Sequence, residues 1–357
     1  MDVGRAAQEP QQLADDRREQ HLLGGDQREA VAQVVPALGA EQRDRPGAGA
    51  IGAALAVVEH VAQEIEVRPH GLHIAPAYDL RVPPTPTTIA ELLDRYDGLL
   101  LDAYGVLVDE RGLLPGAAAL FAELDRRAAP YAIVTNDASR SQATWAARFA
   151  RHGIIVPAER IVTSGSLLPG YFRDRGLAGA RTCVLGTEDS VAYVRAGGGV
   201  PIALARGMEL DALAVCDDSG TPFVDGIALA FSAVVRAVHA GRTPALVLPN
   251  PDLIYPRGDA EYGFTAGAMA LIIEAALARR FPGRLRFDHL GKPAPHLFAE
   301  ARRRLGGVRV VMVGDQLETD IAGAHAAGID AALLAGVSRW DPASGIAPRY
   351  LLATIEP

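Results

Sequence analysis

Leu99-Leu100-Leu101-Asp102-Ala103-Tyr104-Gly105-Val106-Leu107 is an apolar run that stops on an acid and turns at a glycine. A short leucine run bounded in this way reads as a buried strand. Asp102 would then stand at the strand's carboxyl end, where open α/β sheets hold their ligands. That placement makes Asp102 the candidate nucleophile.

Working outward, strands and helices alternate from Thr88 to the C-terminus. Ile89 to Tyr96 reads as a short helix before the Leu99 to Asp102 strand, and Pro115-Gly116 opens a helix running to Arg127. Tyr131 to Thr135 is the next strand, Ser139 to His152 the next helix, and Arg160 to Thr163 a third strand before a helix from Ser166. Alternation of this kind predicts right-handed βαβ units and a Rossmann-like parallel sheet covered by helices on both faces.

A second alternating set lies between Arg181 and Asp288, with strands at Thr182–Leu185, Leu213–Cys216 and Ala245–Leu248. Its helices are expected at Ser190–Ala196, Ile227–Ala240 and Thr265–Arg279. Beyond it come a helix from Pro295 to Leu305, a strand from Val308 to Val313, and a helix from Thr319 to Ala327. The expected organisation is therefore an α/β core from residues 81–180 and 289–357, with residues 181–288 as an inserted α/β domain.

Residues 1–80 differ in kind, being rich in Gln, Arg, Asp, Ala and Gly and lacking strand-like runs. The segment reads as disordered apart from a helical piece at 50–67, or as the product of a reading frame opened too far upstream.

Composition narrows the partners. At 357 residues with 49% hydrophobic and 22% charged content, the chain has the make-up of a globular protein. A formal net charge of -8 argues against nucleic acid or an anionic membrane as main partner. The start lacks the apolar core of a signal peptide, and no apolar run is long enough to span a bilayer, so a cytoplasmic location is expected. Cys183 and Cys216 sit in apolar runs without metal-ligand spacing and read as buried thiols. The nine histidines show no zinc spacing either.

Three further stretches join the first: Val134-Thr135-Asn136-Asp137, Gly291-Lys292-Pro293, and Val313-Gly314-Asp315-Gln316-Leu317-Glu318-Thr319-Asp320. In this order the four stretches resemble the motifs of the haloacid dehalogenase-like superfamily, over about three quarters of the chain. Asp315 follows a strand and should lie beside Asp102, and two converging carboxylates suit Mg²⁺, a hard ion that takes oxygen ligands. The resemblance implies a small phosphorylated metabolite as substrate, attacked at phosphorus by Asp102 to give an aspartyl phosphate. It also implies metal ligation by Asp102, Asp315 and the backbone carbonyl of Tyr104, with Asp320 as a further ligand or a partner of one. Thr135, with the amides of Asn136 and Asp137, would bind phosphate oxygens, and Lys292 would neutralise nucleophile and phosphate together. Without the resemblance, Thr135-Asn136 would read as ordinary helix capping and Asp320 as charge complementing a helix N-terminus.

The proline-rich run Pro249-Asn250-Pro251-Asp252-Leu253-Ile254-Tyr255-Pro256 is unsuited to a helix or a central strand. It is similar to the Asn-Pro-Asp loop of the branch holding ribonucleotide monophosphatases and phosphoglycolate and nitrophenyl phosphatases. That branch carries its cap between the second and third motifs, so residues 181–288 would be the cap, and a homodimer through the cap is a further expectation.

One position departs from the pattern. Superfamily phosphatases usually carry a second aspartate two residues after the nucleophile, and here Tyr104 stands there. Asp-Ala-Tyr-Gly is instead similar to the first motif of 2-haloacid dehalogenases, which attack carbon and need no metal. Dehalogenation is thus an alternative, as is a phosphate-binding homologue of weak turnover. The intact Gly314-Asp315 turn and the short span from Leu107 to Pro130, too short for a dehalogenase cap, favour the phosphatase.

Overall fold

The computed structural model describes residues 83–258, 261–336 and 338–357. Expectations for residues 1–80 lie outside the described residues.

The first strand β1 (Thr85–Thr87) and helix α1 (Ile89–Arg95) lead into β2 (Gly98–Asp102), the strand that ends on Asp102. Helix α2 (Ala117–Arg126), β3 (Tyr131–Thr135), α3 (Gln142–Arg151), β4 (Ile161–Thr163) and α4 (Leu168–Asp174) follow. A second block holds β5 (Arg181–Leu185), α5 (Glu188–Ala196), β6 (Val200–Ile202), β7 (Ala212–Val215), α6 (Phe223–His239), β8 (Ala245–Leu248), the hairpin β9 (Ile254–Gly258) and β10 (Glu261–Phe264), α7 (Ala266–Arg280) and β11 (Asp288–His289). The chain ends with α8 (His296–Arg304), β12 (Val310–Gly314), α9 (Ala322–Ala326), β13 (Asp330–Leu334) and β14 (Tyr350–Leu352).

Seven strands form one sheet in the order β1-β14-β13-β12-β2-β3-β4, all paired in parallel. Neighbouring residues of β2 feed different cores: Leu99 and Leu101 pack with Ile133, Val311 and Val313, whereas Leu100 packs with Ala132, Val134 and Met312. Successive side chains of a strand point to opposite faces, so a run of leucines with no polar alternation marks a sheet covered on both sides. From β2 the chain steps to β3 and β4 on one side and later returns through β12 on the other. The crevice beyond β2 and β12 is therefore a topological switch point, where such sheets bind ligands.

The second block builds its own five-stranded parallel sheet, in the order β11-β8-β7-β5-β6. Its separate core includes Leu213, Val215 and Leu246 from the strands and Val234 and Ile273 from α6 and α7. Five hydrogen bonds tie the start of α5 to the loop after β3. Ser139 and Ala138 carbonyls accept from the hydroxyls of Thr187 and Ser190, and the Arg140 carbonyl from Tyr193. Asp189 accepts from the Ser141 amide at 2.6 Å and the Thr144 hydroxyl at 2.8 Å.

Two expected helices start or run differently. Helix α3 begins at Gln142 rather than Ser139, because Ser141 caps it and Asp137 holds the preceding loop through the amides of Ser139 and Arg140. Where a helix from Thr319 was expected, Leu317–Ile321 forms a π-helical turn before α9. The Asp320 carboxylate there folds back onto the amides of Asp315 and Gln316, at 3.2 and 3.1 Å.

Candidate active site

Three buried carboxylates and one buried lysine meet at the carboxyl ends of β2 and β12. Lys292 Nζ donates to Asp102 Oδ1 at 2.6 Å, to Asp320 Oδ1 at 2.7 Å and to the Val134 carbonyl at 3.4 Å. Asp102 Oδ1 also accepts from the Ala103 amide at 2.8 Å, while no hydrogen bond engages its Oδ2 among the described residues. Burial works against the Lys292 charge, but Asp102 and Asp320 outweigh it and hold the ammonium above its ordinary range.

Asp315 differs from the others: it is 1% exposed, and neither carboxylate oxygen has a hydrogen-bond partner. A carboxyl group in that state is costly unless it is protonated or meets a cation. Burial, then the neighbouring Asp320, pushes its pKa up to about 7. Asp102 is likewise held well above the usual carboxylate range, first by burial and then by Asp320, with Lys292 opposing. The Asp102, Asp315 and Asp320 carboxylates each bring an oxygen within 4.8 Å of the others. Gly105, at φ 86°, makes room for the cluster, since a Cβ there would lie 2.0 Å from Asp315 Oδ2. An all-oxygen, anionic donor set with an unpartnered member fits a hard divalent cation such as Mg²⁺. Asp315 has both oxygens to spare for it, whereas both oxygens of Asp320 are already taken by Lys292 and two amides.

Asn136 fastens the lysine in place. Its Oδ1 accepts from the Lys292 amide at 2.7 Å, and its Nδ2 donates to the Lys292 carbonyl at 3.1 Å and to Asp252 Oδ1 at 2.8 Å. Thr135 is buried at the end of β3, with its hydroxyl accepting from the Asp137 amide at 3.3 Å. The Asp137 carboxylate turns away from the cluster to Ser139, Arg140 and the Trp145 indole. The Tyr104 side chain finds its partners outside the cluster: its hydroxyl accepts from Arg148 and its ring meets Trp145 edge-on, 5.5 Å between centroids. Asp102, Asn136, Lys292, Asp315 and Asp320 are thus brought together, while the Asp137 and Tyr104 side chains are not joined to them by hydrogen bonds.

Two participants were given no role in the sequence reading. Asp252 belongs to the Asn-Pro-Asp loop, whose likeness to a known branch was the available signal. Arg148 is one of two arginines on α3, and nothing in its spacing singles it out.

The haloacid dehalogenase-like hydrolase model matches residues 99–199 and a HAD-hydrolase-like model matches residues 289–356. Human chronophin is 28% identical over 290 residues, covering 75% of this chain and 93% of that protein. D-glycerol 3-phosphate phosphatase of Mycobacterium tuberculosis is 31% identical over 255 residues, covering 70% of this chain and 66% of that protein. The crystal structure of a glycerol phosphate phosphatase from the same organism in complex with magnesium superposes with a TM-score of 0.61, at 29% identity, over 74% of this chain and 76% of that one. The chain belongs to the haloacid dehalogenase-like hydrolases, in the branch that carries an α/β cap.

Proposed function

We propose that the chain is a Mg²⁺-dependent phosphatase that hydrolyses a small phosphorylated metabolite through an aspartyl phosphate on Asp102. The observation that carries the reading is Asp315, buried beside Asp102 with both oxygens unpartnered. A phosphoryl group brings negative charge that a cation held there would offset, whereas displacement of a halide from carbon would gain nothing from an extra carboxylate. The phosphatases among the named relatives support the same class.

In this reading Asp102 through Oδ1, Asp315 and the Tyr104 carbonyl would hold Mg²⁺, which would supply charge to offset that of the phosphoryl oxygens. Lys292 and the amide of Ala103 hold Asp102 Oδ1, leaving Oδ2 to attack phosphorus. The Oδ2–P bond forms as the P–O ester bond breaks, and water later cleaves the acyl phosphate to regenerate Asp102. Lys292 and Thr135, with the amides of Asn136 and Asp137, contact the phosphoryl oxygens. Asp320 stays behind Lys292 and fixes its position. The Tyr104 phenol accepts its bond from Arg148, so its own proton is left for the leaving oxygen. Residues 181–288 act as the cap that selects the rest of the substrate, and two copies associate through it.

A screen of metabolite phosphates with and without Mg²⁺, run beside a 2-haloacid, tests the class. Asp102→Asn should abolish turnover while leaving the melting temperature close to that of the parent, because the amide matches the carboxylate in shape but is no nucleophile. Wild-type turnover in that variant would show that Asp102 is not the nucleophile.

A further inference from the structure

Beside Tyr104 lies a cavity of about 510 Å³ whose lining includes Arg111, Arg140, Arg148, Arg151 and His152, against a single acid, Glu110. Glu110 lies 3.7 Å from Arg111, and Arg140 is paired with Asp137 at 3.0 Å. Arg148 and Arg151 have no carboxylate partner among the described residues. The cavity therefore carries surplus positive charge in a molecule whose formal net charge is -8.

Arg148 is fixed rather than free. Its guanidinium stacks on the rings of Tyr104 and Trp145, 5.0 and 5.1 Å from their centroids. It donates to the Asp109 carbonyl at 2.7 Å and to the Tyr104 hydroxyl. A guanidinium has five N–H donors in a planar fork that matches a carboxylate or phosphate. Those two bonds leave donors over, on a group already held in one plane and half-buried.

The cavity meets the candidate active site at Tyr104, whose backbone carbonyl the proposed function assigns to the cation. Tyr104 forms part of its wall and is two residues from Asp102, which puts their Cα atoms within about 7 Å of each other. In the proposed function the leaving oxygen meets the Tyr104 phenol, and the Arg148 bond to that phenol would bring a group a few bonds further along the substrate to the guanidinium.

We propose that this cavity is a subsite for a second anionic group of the substrate, a carboxylate or a further phosphate, with Arg148 as its principal donor. The proposal rests on the phosphatase reading of the adjacent site. It makes Arg148 a specificity residue, and the preferred substrates are anionic at both ends.

The test compares kcat/KM of the full chain with Mg²⁺ on matched pairs: 4-carboxyphenyl against 4-carbamoylphenyl phosphate, and 4-phosphooxybutanoate against its amide. A bisphosphate of butane-1,4-diol distinguishes phosphate from carboxylate as the second group. The parent should favour the acid of at least one pair, or the bisphosphate, by about tenfold or more, the size expected of a charge-assisted hydrogen bond. Arg148→Gln should erase that preference, and Arg151→Glu, at an exposed position that folding tolerates, should reduce it. Equal rates on acid and amide in the parent with no gain on the bisphosphate, or a preference that survives in Arg148→Gln, would overturn the subsite. Should the parent hydrolyse no member of any pair, the phosphatase reading fails, and the subsite is then judged by sulfate titration of Trp145 fluorescence. A saturable change lost in Arg148→Gln supports it, and one that persists, or no change at all, refutes it.

Discussion

In the proposed mechanism Tyr104 would set how the leaving group departs. A phenol donates a hydrogen bond at neutral pH but is a poor base for water, whereas the aspartate found there in most superfamily phosphatases does both. Aryl phosphates, whose leaving groups depart without much help, should therefore be turned over better than alkyl phosphates. Tyr104→Asp should raise alkyl phosphate turnover more than aryl, by up to about 10²-fold if general acid–base assistance has its usual size. An equal fall on both would show that the phenol has a role an acid cannot fill. At this scale the sequence disclosed most of the cluster, because Asp102, Lys292 and Asp315 sit in short frames whose chemistry is local. Arg148 and Asp252 were not legible as participants, since their roles depend on what the fold brings opposite them: two aromatic rings in one case, Asn136 in the other.

Among the elements, the loop after β3 connects the most parts. Asn136 alone bonds to both backbone groups of Lys292 and to Asp252, and it is buried. Asn136→Ala would strand a buried amide, a carbonyl and a carboxylate, so it should cost about 2–4 kcal/mol of stability. Urea denaturation measures this, and a loss below about 0.5 kcal/mol would mean that water replaces the side chain freely. Of the strands inside the two sheets, β13 went unnamed, while β2, β3, β12, β7 and β8 were legible because both of their faces are covered and their residues are uniformly apolar. The edge strand β1 and its neighbour β14 were not: each has three residues, and β1 is the polar Thr-Pro-Thr. Such segments become strands through the ladder they join rather than through a pattern of their own. The π-helical turn at Leu317–Ile321 was hidden for a similar reason, as it depends on where the Asp320 carboxylate finds its partners.

For the whole molecule, the large apolar side chains that the second block leaves exposed stand out. Leu253, Ile254, Tyr262, Phe264, Leu271 and Ile272 are all exposed, and Phe264, 62% exposed, lies against Phe223 with ring centroids 5.9 Å apart. Apolar side chains gathered in this way favour association, and the dimer proposed above would cover them. Phe264→Ser should weaken that dimer by about tenfold or more, read by sedimentation equilibrium; a parent that is monomeric at millimolar concentration refutes the dimer. The bonds from Thr187, Asp189, Ser190 and Tyr193 to residues 138–144 have a consequence beyond holding the second block in place. The loop that would receive the phosphoryl group is the same loop that fastens this block, so ligand occupancy and block position form one linked equilibrium. Linkage is reciprocal: a restraint on the block that alters phosphate affinity by some factor is itself strengthened or loosened by bound phosphate, by that same factor.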